Sequence, residues 1–513
     1  MAIDPRTPVL VGVGQVTSRP DPACALGDRP APLDLMVGAL RAAAEDCTGA
    51  RPGTAGSPGA RLLERADSVR VVRSLDWHPT NPALAVAERL GIEPRETVLT
   101  AIGGNTPQAL LHDAARAIAK GDFDVVAVTG AECGYTRARV RRQPDRPRLP
   151  WIGVEADDAV APRPFGTDRA PATDVELQHG MALPIQAYPL IENALRVSEG
   201  WTRTLHGARI GNLWSRFSEV ASSNPYAWIT TASTADELVT ATPANRMVSF
   251  PYTKLLTANI QVDQGAAYLC CSVEAARAAG IPSDRWVFPI AGAEANDHWF
   301  LSERAELGAS PAIRLAGRTA MRLADVGVDD LAFVDLYSCF PCIVQVAAVE
   351  LGLDLEGPIE RLTLTGGLTF AGGPGNNYTS HGIASLVPRL RAQPDAIGMT
   401  TGNGWYATKH AIGLYSGRPP EGAGFRSESA QTEVDALPRA TWVPEAAGDV
   451  SLETFTVTYD REGSAERAIV VARTPTDERV WANSEDPDVV DALVGSEVLP
   501  TAGRIVNGRF ELR

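Results

Sequence analysis

The sequence predicts an α/β fold of two related βαβαβ halves arranged in layers, with a segment inserted between them and a small antiparallel β-barrel appended. Three observations predict it. The apolar run Glu96–Thr100, the glycine turn Gly103-Gly104, the amphipathic stretch Asn105–Lys120 and the apolar Phe123–Glu132 share their order with Leu362–Thr365, Gly366-Gly367, Ala371–Asn376 and Pro394–Gly404. The two copies lie about 270 residues apart, too far for a solenoid repeat and suited to a duplicated domain. From Cys133 to Pro251 periodicity weakens while prolines, charges and tryptophans accumulate, the texture of a long insertion. After the Pro/Gly-rich Tyr415–Gly424, short alternating runs recur at even spacing, which points to a barrel.

Taken in order, Pro8–Gln15 alternates as a first buried strand, and Leu33–Cys47 places Leu35, Leu40 and Ala43 on one helical face. Val69–Val72 is the next strand and Pro82–Leu90 a short helix. The helix Asn105–Lys120 opens directly after two glycines, so its free N–H groups face whatever the turn holds. In the second copy Leu362–Thr365 reads as a strand before a glycine turn. Thr456–Tyr459, the turn Asp460–Gly463, Arg467–Arg473 and Arg479–Asn483 supply the barrel strands. The resulting division is 1–135 for the first half, 136–250 for the insertion, 251–416 for the second half, 417–430 for a linker and 431–513 for the barrel.

Composition excludes several classes of function. The 513 residues carry a net charge of −15, which opposes nucleic-acid binding unless a local patch overrides the field. The cluster Arg137–Arg142 is too short for that and reads as a solvated loop. No apolar run reaches bilayer length, no leader is evident, and the final Phe510-Glu-Leu-Arg513 is not a peroxisomal tripeptide. A cytoplasmic location without a membrane span is expected. Seven irregularly spaced cysteines do not make a disulfide framework. Only three lysines, Lys120, Lys254 and Lys409, stand beside 44 arginines, a bias read as one of coding.

Five motifs in order resemble the thiolase superfamily. Gly103-Gly-Asn-Thr-Pro-Gln-Ala-Leu110 is similar to the family's Cys-x-Ser-Gly-x-Gln-Ala segment, and Val334-Asp-Leu-Tyr-Ser-Cys-Phe340 to the Glu-Leu-His-Asp-Cys-Phe of sterol-carrier-protein-type thiolases. Gly366–Pro374 resembles the Gly-Gly-x-x-x-x-Gly-His-Pro motif, Thr401–Gly404 falls at Cys-x-Gly, and Asp263–Ala267 echoes Asp-Gly-Ala-Ala. The sequence looks most like thiolase-like protein type 1, which carries an added C-terminal domain. The resemblance implies a thiolase fold, an OB-like barrel, and an insertion contacting coenzyme A through the helix around Met181–Arg196. That helix reads equally as one that covers the core.

Laid over the family motifs, Gly103 takes the place of the nucleophilic Cys, Tyr337 that of the Asn or His, Gly373 that of the His in Gly-His-Pro, and Gly402 that of the second Cys. Glycine cannot hold an acyl group, and loss of one oxyanion donor alone costs about two to three orders of magnitude in rate. Thiolysis and condensation through an acyl-cysteine are therefore excluded. The residual candidates are Tyr337, Asn105, His381, Asn403 and His410, any of which could hold a carbonyl oxygen or move a proton, or simply satisfy the core. Cys339-Phe-Pro-Cys342 has redox spacing outside a thioredoxin-like context, and no metal-ligand pattern occurs.

The expected function is that of an acyl-CoA-binding protein of lipid or sterol metabolism, with coenzyme A or acyl-CoA as ligand and no covalently bound cofactor. Retro-aldol cleavage of an acyl-CoA through Tyr337 is the first alternative. Steroid side-chain aldolases of thiolase fold also lack the cysteines and work with an OB-fold partner, and here an OB-like domain is expected in cis. A non-catalytic partner docking through the barrel is the second alternative. Monomer and homodimer both remain open.

Overall fold

The computed structural model describes residues 3–19, 21, 24–49, 56–146, 148–149, 151, 159–420 and 424–513. Residues 421–423 of the Pro/Gly-rich stretch lie outside them. In chain order the strands are β1 (Pro8–Thr17), β2 (Ser68–Val71), β3 (Glu96–Thr100), β4 (Val125–Cys133), β5 (Arg163–Phe165), β6 (Met247–Ser249), β7 (Tyr252–Thr253), β8 (Asp263–Ser272) and β9 (Phe288–Asn296). They continue with β10 (Leu331–Asp335), β11 (Ile397–Gly404), β12 (Lys409–Ser416), β13 (Arg426–Ser429), β14 (Gly448–Tyr459), β15 (Ala465–Arg473), β16 (Arg479–Ser484), β17 (Ala502–Val506) and β18 (Arg509–Leu512).

Three sheets follow, in the orders β1-β8-β4-β2-β3-β5, β10-β11-β12-β9-β13 and β15-β16-β18-β17-β14-β6-β7. The first two are the duplicated α/β layers. Their central strands are buried on both faces, as strands covered by helices must be. Helices Thr106–Lys120 and Tyr378–Ala392 pack between the layers, where Leu110, Leu111, Ile383 and Leu386 share one apolar cluster. Helix Pro32–Asp46 lies against β1 at backbone contact, because a Cβ on Gly12 would sit 2.0 Å from the Ala43 carbonyl oxygen. Additional pairing of β14 with β15 closes β14-β15-β16-β18-β17 into a five-stranded barrel.

Local signals explain why several elements match the sequence reading. Helix Pro82–Leu90 begins at Asn81, whose side chain accepts the Leu84 N–H at 2.9 Å, has Pro82 in its first turn, and ends at left-handed Gly91. Four points differ from expectation. Residues 362–365 form no strand: the Asp335 carboxylate accepts the N–H groups of Leu364 and Thr365 at 2.8 and 3.2 Å, replacing a ladder. The boundary at 251 cuts through the first layer's sequence, since β8 inserts between β1 and β4 and belongs to that sheet. The linker 417–430 contains β13, which pairs with β9 in parallel. The barrel also recruits β6 and β7 from residues assigned to the insertion and the second half, through Thr458 opposite Ser249.

The insertion contributes β5, which covers the open edge of β3 with Val98 opposite Arg163 and Thr100 opposite Phe165. Arg163 reaches Glu96 at 2.7 Å and Asp113 at 2.9 Å, which pins the short strand in place. The same two carboxylates flank fully buried Arg70, so one charge network spans β2, β3, β5 and helix Thr106–Lys120.

Candidate functional site

The turn between β3 and helix Thr106–Lys120 is held from both layers. Asn376 accepts the Gly103 N–H at 2.8 Å, and Thr379 donates to the Gly104 carbonyl at 2.8 Å. Thr106 closes the turn on the Gly103 carbonyl through both its N–H and its hydroxyl. β11 and the turn that follows it face this loop from the second layer. The motif residues Gly103, Tyr337, Gly402, Asn105 and Asn403 therefore converge, although their segments lie far apart in sequence.

The glycines at these motif positions are closely surrounded. A Cβ on Gly103 would lie 2.5 Å from Asn105 Oδ1 and 2.9 Å from both Cε and Nζ of Lys409. One on Gly104 would lie 2.3 Å from the Tyr337 hydroxyl, and one on Gly402 would lie 2.8 Å from the Asn105 Cα. Neither Gly103 nor Gly402 could carry a cysteine without displacing its neighbours. Gly373 is roomier: its Cβ would meet the Asn259 carbonyl at 3.3 Å, and its N–H donates to that oxygen at 2.9 Å. A cavity of about 10 Å³ remains between Tyr337, Ile343, Thr401, Gly402, Asn403 and His410, the size of one water.

Tyr337 is buried, its ring edge-on to Tyr378 with centroids 5.4 Å apart. Its backbone N–H donates to Thr401 Oγ1 at 2.8 Å. Burial and the neighbouring Cys339 push the phenol well above its ordinary value. At neutral pH this group can donate a proton or a hydrogen bond but cannot act as a base. Burial pushes the Cys339 thiol up to about 12, so it is no substitute nucleophile.

Asn403 donates to the Tyr188 hydroxyl at 2.7 Å while its Oδ1 is buried without a partner. Asn105 Oδ1 is likewise unpartnered. His410 lines the small cavity, with its Nε2 3.2 Å from the Ala407 carbonyl and 3.5 Å from Asp297 Oδ2. Burial alone would raise Asp297, but hydrogen bonding from His410 and the charge of Arg304 hold it below the usual carboxylate range. Ser310 also donates to Asp297 and lies 3.4 Å from His410 Nε2, yet the same hydroxyl caps Ile313, so this trio anchors a helix start.

His381 points elsewhere. Its Nδ1 pairs with Gln15 of β1 at 2.8 Å, and burial pushes the ring down to about 3, leaving a neutral imidazole away from the Gly103 turn. Helix Pro184–Ser198 is buried from Ala187 to Arg196 and covered by the barrel: Asn193 donates to the Phe455 carbonyl at 2.9 Å, and Thr454 to that of Leu190 at 2.6 Å. Its central face is thus packed against protein, and not against an open channel. Among the described residues no three His, Cys, Asp or Glu side chains stand close enough to hold a metal ion.

Sequence reasoning missed Lys409. Its Nζ donates to the Ile102 carbonyl and, at 3.3 Å, to that of Thr167, and it sits 5.6 Å from the Trp405 ring centroid. Burial pushes the ammonium down to about 8 against the pull of Asp168. The turn that delivers it holds Trp405 and Ala407 at φ 57° and 53°, left-handed values costing on the order of 1–3 kcal/mol each. Tyr188 enforces them by donating to the Trp405 carbonyl at 2.8 Å and accepting the Ala407 N–H at 3.0 Å. The available signal was the scarcity of lysine itself. Sequence reasoning also missed Glu132, a buried carboxyl that would lie 2.3 Å from a Cβ on Gly375.

Residues 429–508 match the family described as "thiolase-like protein type 1 additional C-terminal domain". The crystal structure of a monomeric SCP2-thiolase-like protein type 1 from Mycobacterium smegmatis is similar over 100% of both chains, with 33% identity and a TM-score of 0.82. An Ltp2–ChsH2(DUF35) aldolase shares the fold over 81% of this chain and 100% of its own, at 18% identity and TM-score 0.59. So does human mitochondrial 3-ketoacyl-CoA thiolase in complex with CoA, over 81% and 99%, at 17% identity and TM-score 0.53. No curated protein matches the chain. A full-length relative at this identity, a matched C-terminal domain and a shared two-layer fold establish that the chain belongs to the SCP2-thiolase-like protein type 1 family.

Proposed function

We propose that the protein binds an acyl-CoA of lipid or sterol metabolism and does not process it through an acyl-cysteine. One observation carries this reading. The Gly103–Asn105 turn opens a helix beside the buried amide oxygens of Asn105 and Asn403, which have no partners, while a Cβ on Gly103 or on Gly402 would fall 2.5 or 2.8 Å from a neighbouring atom. The CoA complex of the human thiolase of the same fold supports CoA as the ligand class. The site is tightly packed, so binding would require the segments around the small cavity to part.

Coenzyme A and a chain-length series of acyl-CoAs should raise the melting temperature, because a ligand that binds only the folded state at 100 times its Kd adds about 2.7 kcal/mol. Intact-mass measurement of the same samples should show no acyl adduct. Absence of any thermal shift across the series would overturn the reading.

Retro-aldol cleavage with Tyr337 as proton donor is the second reading, favoured by the position of its hydroxyl against Gly104. On that reading Tyr337→Phe abolishes release of aldehyde or ketone from β-hydroxyacyl-CoAs, lowering the rate by about 10²-fold or more, while leaving the CoA-induced thermal shift in place. Unchanged turnover in the variant would remove Tyr337 from the chemistry.

A further inference from the structure

We propose that the ε-amine of Lys409 is the reactive group of this site and forms a Schiff base with the carbonyl carbon of a small aldehyde or ketone. The inference goes beyond acyl-CoA binding and does not depend on it. Its first support is position. Cε and Nζ of Lys409 lie 2.9 Å from where a Gly103 side chain would begin, so an amine stands where the thiolase motif places its sulfur.

The second support is residue choice. Where this chain needs a buried cation it uses arginine, as at Arg70, Arg304 and Arg479. Lys120 and Lys254 are exposed, which makes Lys409 the one buried lysine of three. A guanidinium also donates to carbonyls, but only an amine can lose its proton and become a nucleophile near neutral pH. The coding bias invoked for lysine scarcity explains its absence elsewhere and not its retention here.

The third support is the surrounding set of unused polar atoms. Asn105 Oδ1 would lie 2.5 Å from the same Gly103 Cβ position, and Trp405 Nε1 sits on the ring beside the amine. Both are buried without hydrogen-bond partners. The indole N–H can donate to the oxygen of a bound carbonyl, and Asn105 Oδ1 can accept from the hydroxyl of the carbinolamine it becomes. The two left-handed residues of the Trp405–Ala407 turn, fixed by Tyr188, preorganise this arrangement. Thr167 and Asp168 are exposed, so the amine lies one layer of chain beneath solvent. Burial also lowers the ammonium to about 8, which leaves about a tenth of the amine uncharged at pH 7, and Asp168 is the charged group that faces it.

In the step, the Nζ lone pair adds to the carbonyl carbon and the C–O π pair takes up a proton, giving a carbinolamine. Loss of the hydroxyl with the remaining nitrogen proton releases water and leaves a C=N bond. Nothing is oxidised or reduced, and no co-reactant is needed.

The test treats the full chain at pH 7 with propanal and sodium cyanoborohydride, followed by peptide mapping of the reduced adducts. Lys120 and Lys254 serve as internal references for surface lysines. Lys409 should be alkylated at least about tenfold faster than either, as its lowered pKa implies. Asn105→Ala and Trp405→Phe should slow labelling of Lys409 and leave Lys120 unchanged. K409R should lose the adduct. Labelling of Lys409 no faster than of the surface lysines would overturn the proposal, since an ammonium that only ties the turn together would be protected. That result would leave the CoA thermal shift untouched, so the two readings fail separately.

Discussion

Single residues decide the chemistry here by what they displace. Tyr337 and Lys409 each occupy the space that a side chain on Gly104 or Gly103 would need. Glu132 shows a comparable trade. Burial, then the facing Asp76, raise its carboxyl well above the ordinary range, while the Leu75 N–H and the Ser74 hydroxyl hold its oxygens at 2.6 and 2.9 Å. The folded chain therefore keeps a proton that the unfolded chain releases near pH 4.3. This group's contribution to stability is complete below that pH and falls as pH rises toward the folded value. Glu132→Gln, which carries a permanent amide hydrogen toward Ser74, should melt close to the parent at pH 4.5 and a few degrees above it at pH 7.5. A difference in melting temperature independent of pH would show that Glu132 is ionised in the fold.

At the scale of elements, β5 is the addition with most influence on assembly. Three residues from the insertion satisfy the exposed N–H and C=O groups of β3, the edge through which a second chain could have paired. The protein should sediment as a 54.5 kDa monomer at micromolar concentration, and a species of twice that mass would contradict this role for β5. No sequence pattern announced it, because Arg163-Pro164-Phe165 has neither alternation nor length, and its place depends on Glu96 and Asp113 in distant segments. Elements with local signals were legible: Pro82–Leu90 from Asn81, Pro82 and Gly91, and Pro8–Thr17 from its alternation. The strand expected at 362–365 failed because β-rich threonines found a buried carboxylate before they found a neighbour strand. Gly103, Gly402 and Tyr337 were placed in the site by motif order. His381 was not separable from them by sequence, since the turn of the helix that aims Thr379 at Gly104 aims His381 at Gln15. Lys409 went unread because burial is a property of the folded turn.

Across the whole molecule the barrel is not a pendant module. Arg479, fully buried, donates to the carbonyls of Leu301 and Ser302 at 3.0 and 3.1 Å and pairs with Glu453, while the Trp481 N–H meets Ser302 Oγ at 2.9 Å. An indole so committed cannot stack on a nucleobase, and a buried pair of this kind costs about 3–5 kcal/mol when one partner is removed. The strand orders carry a further consequence, for the timing of synthesis. Because β8 separates β1 from β4, the first sheet stays incomplete on the ribosome until Ser272 has emerged, and β6 waits about 200 residues more for Thr458. At some 5–20 residues per second, that strand spends about 10 s or longer with only the short β7 beside it, exposed to whatever chaperone meets the nascent chain first.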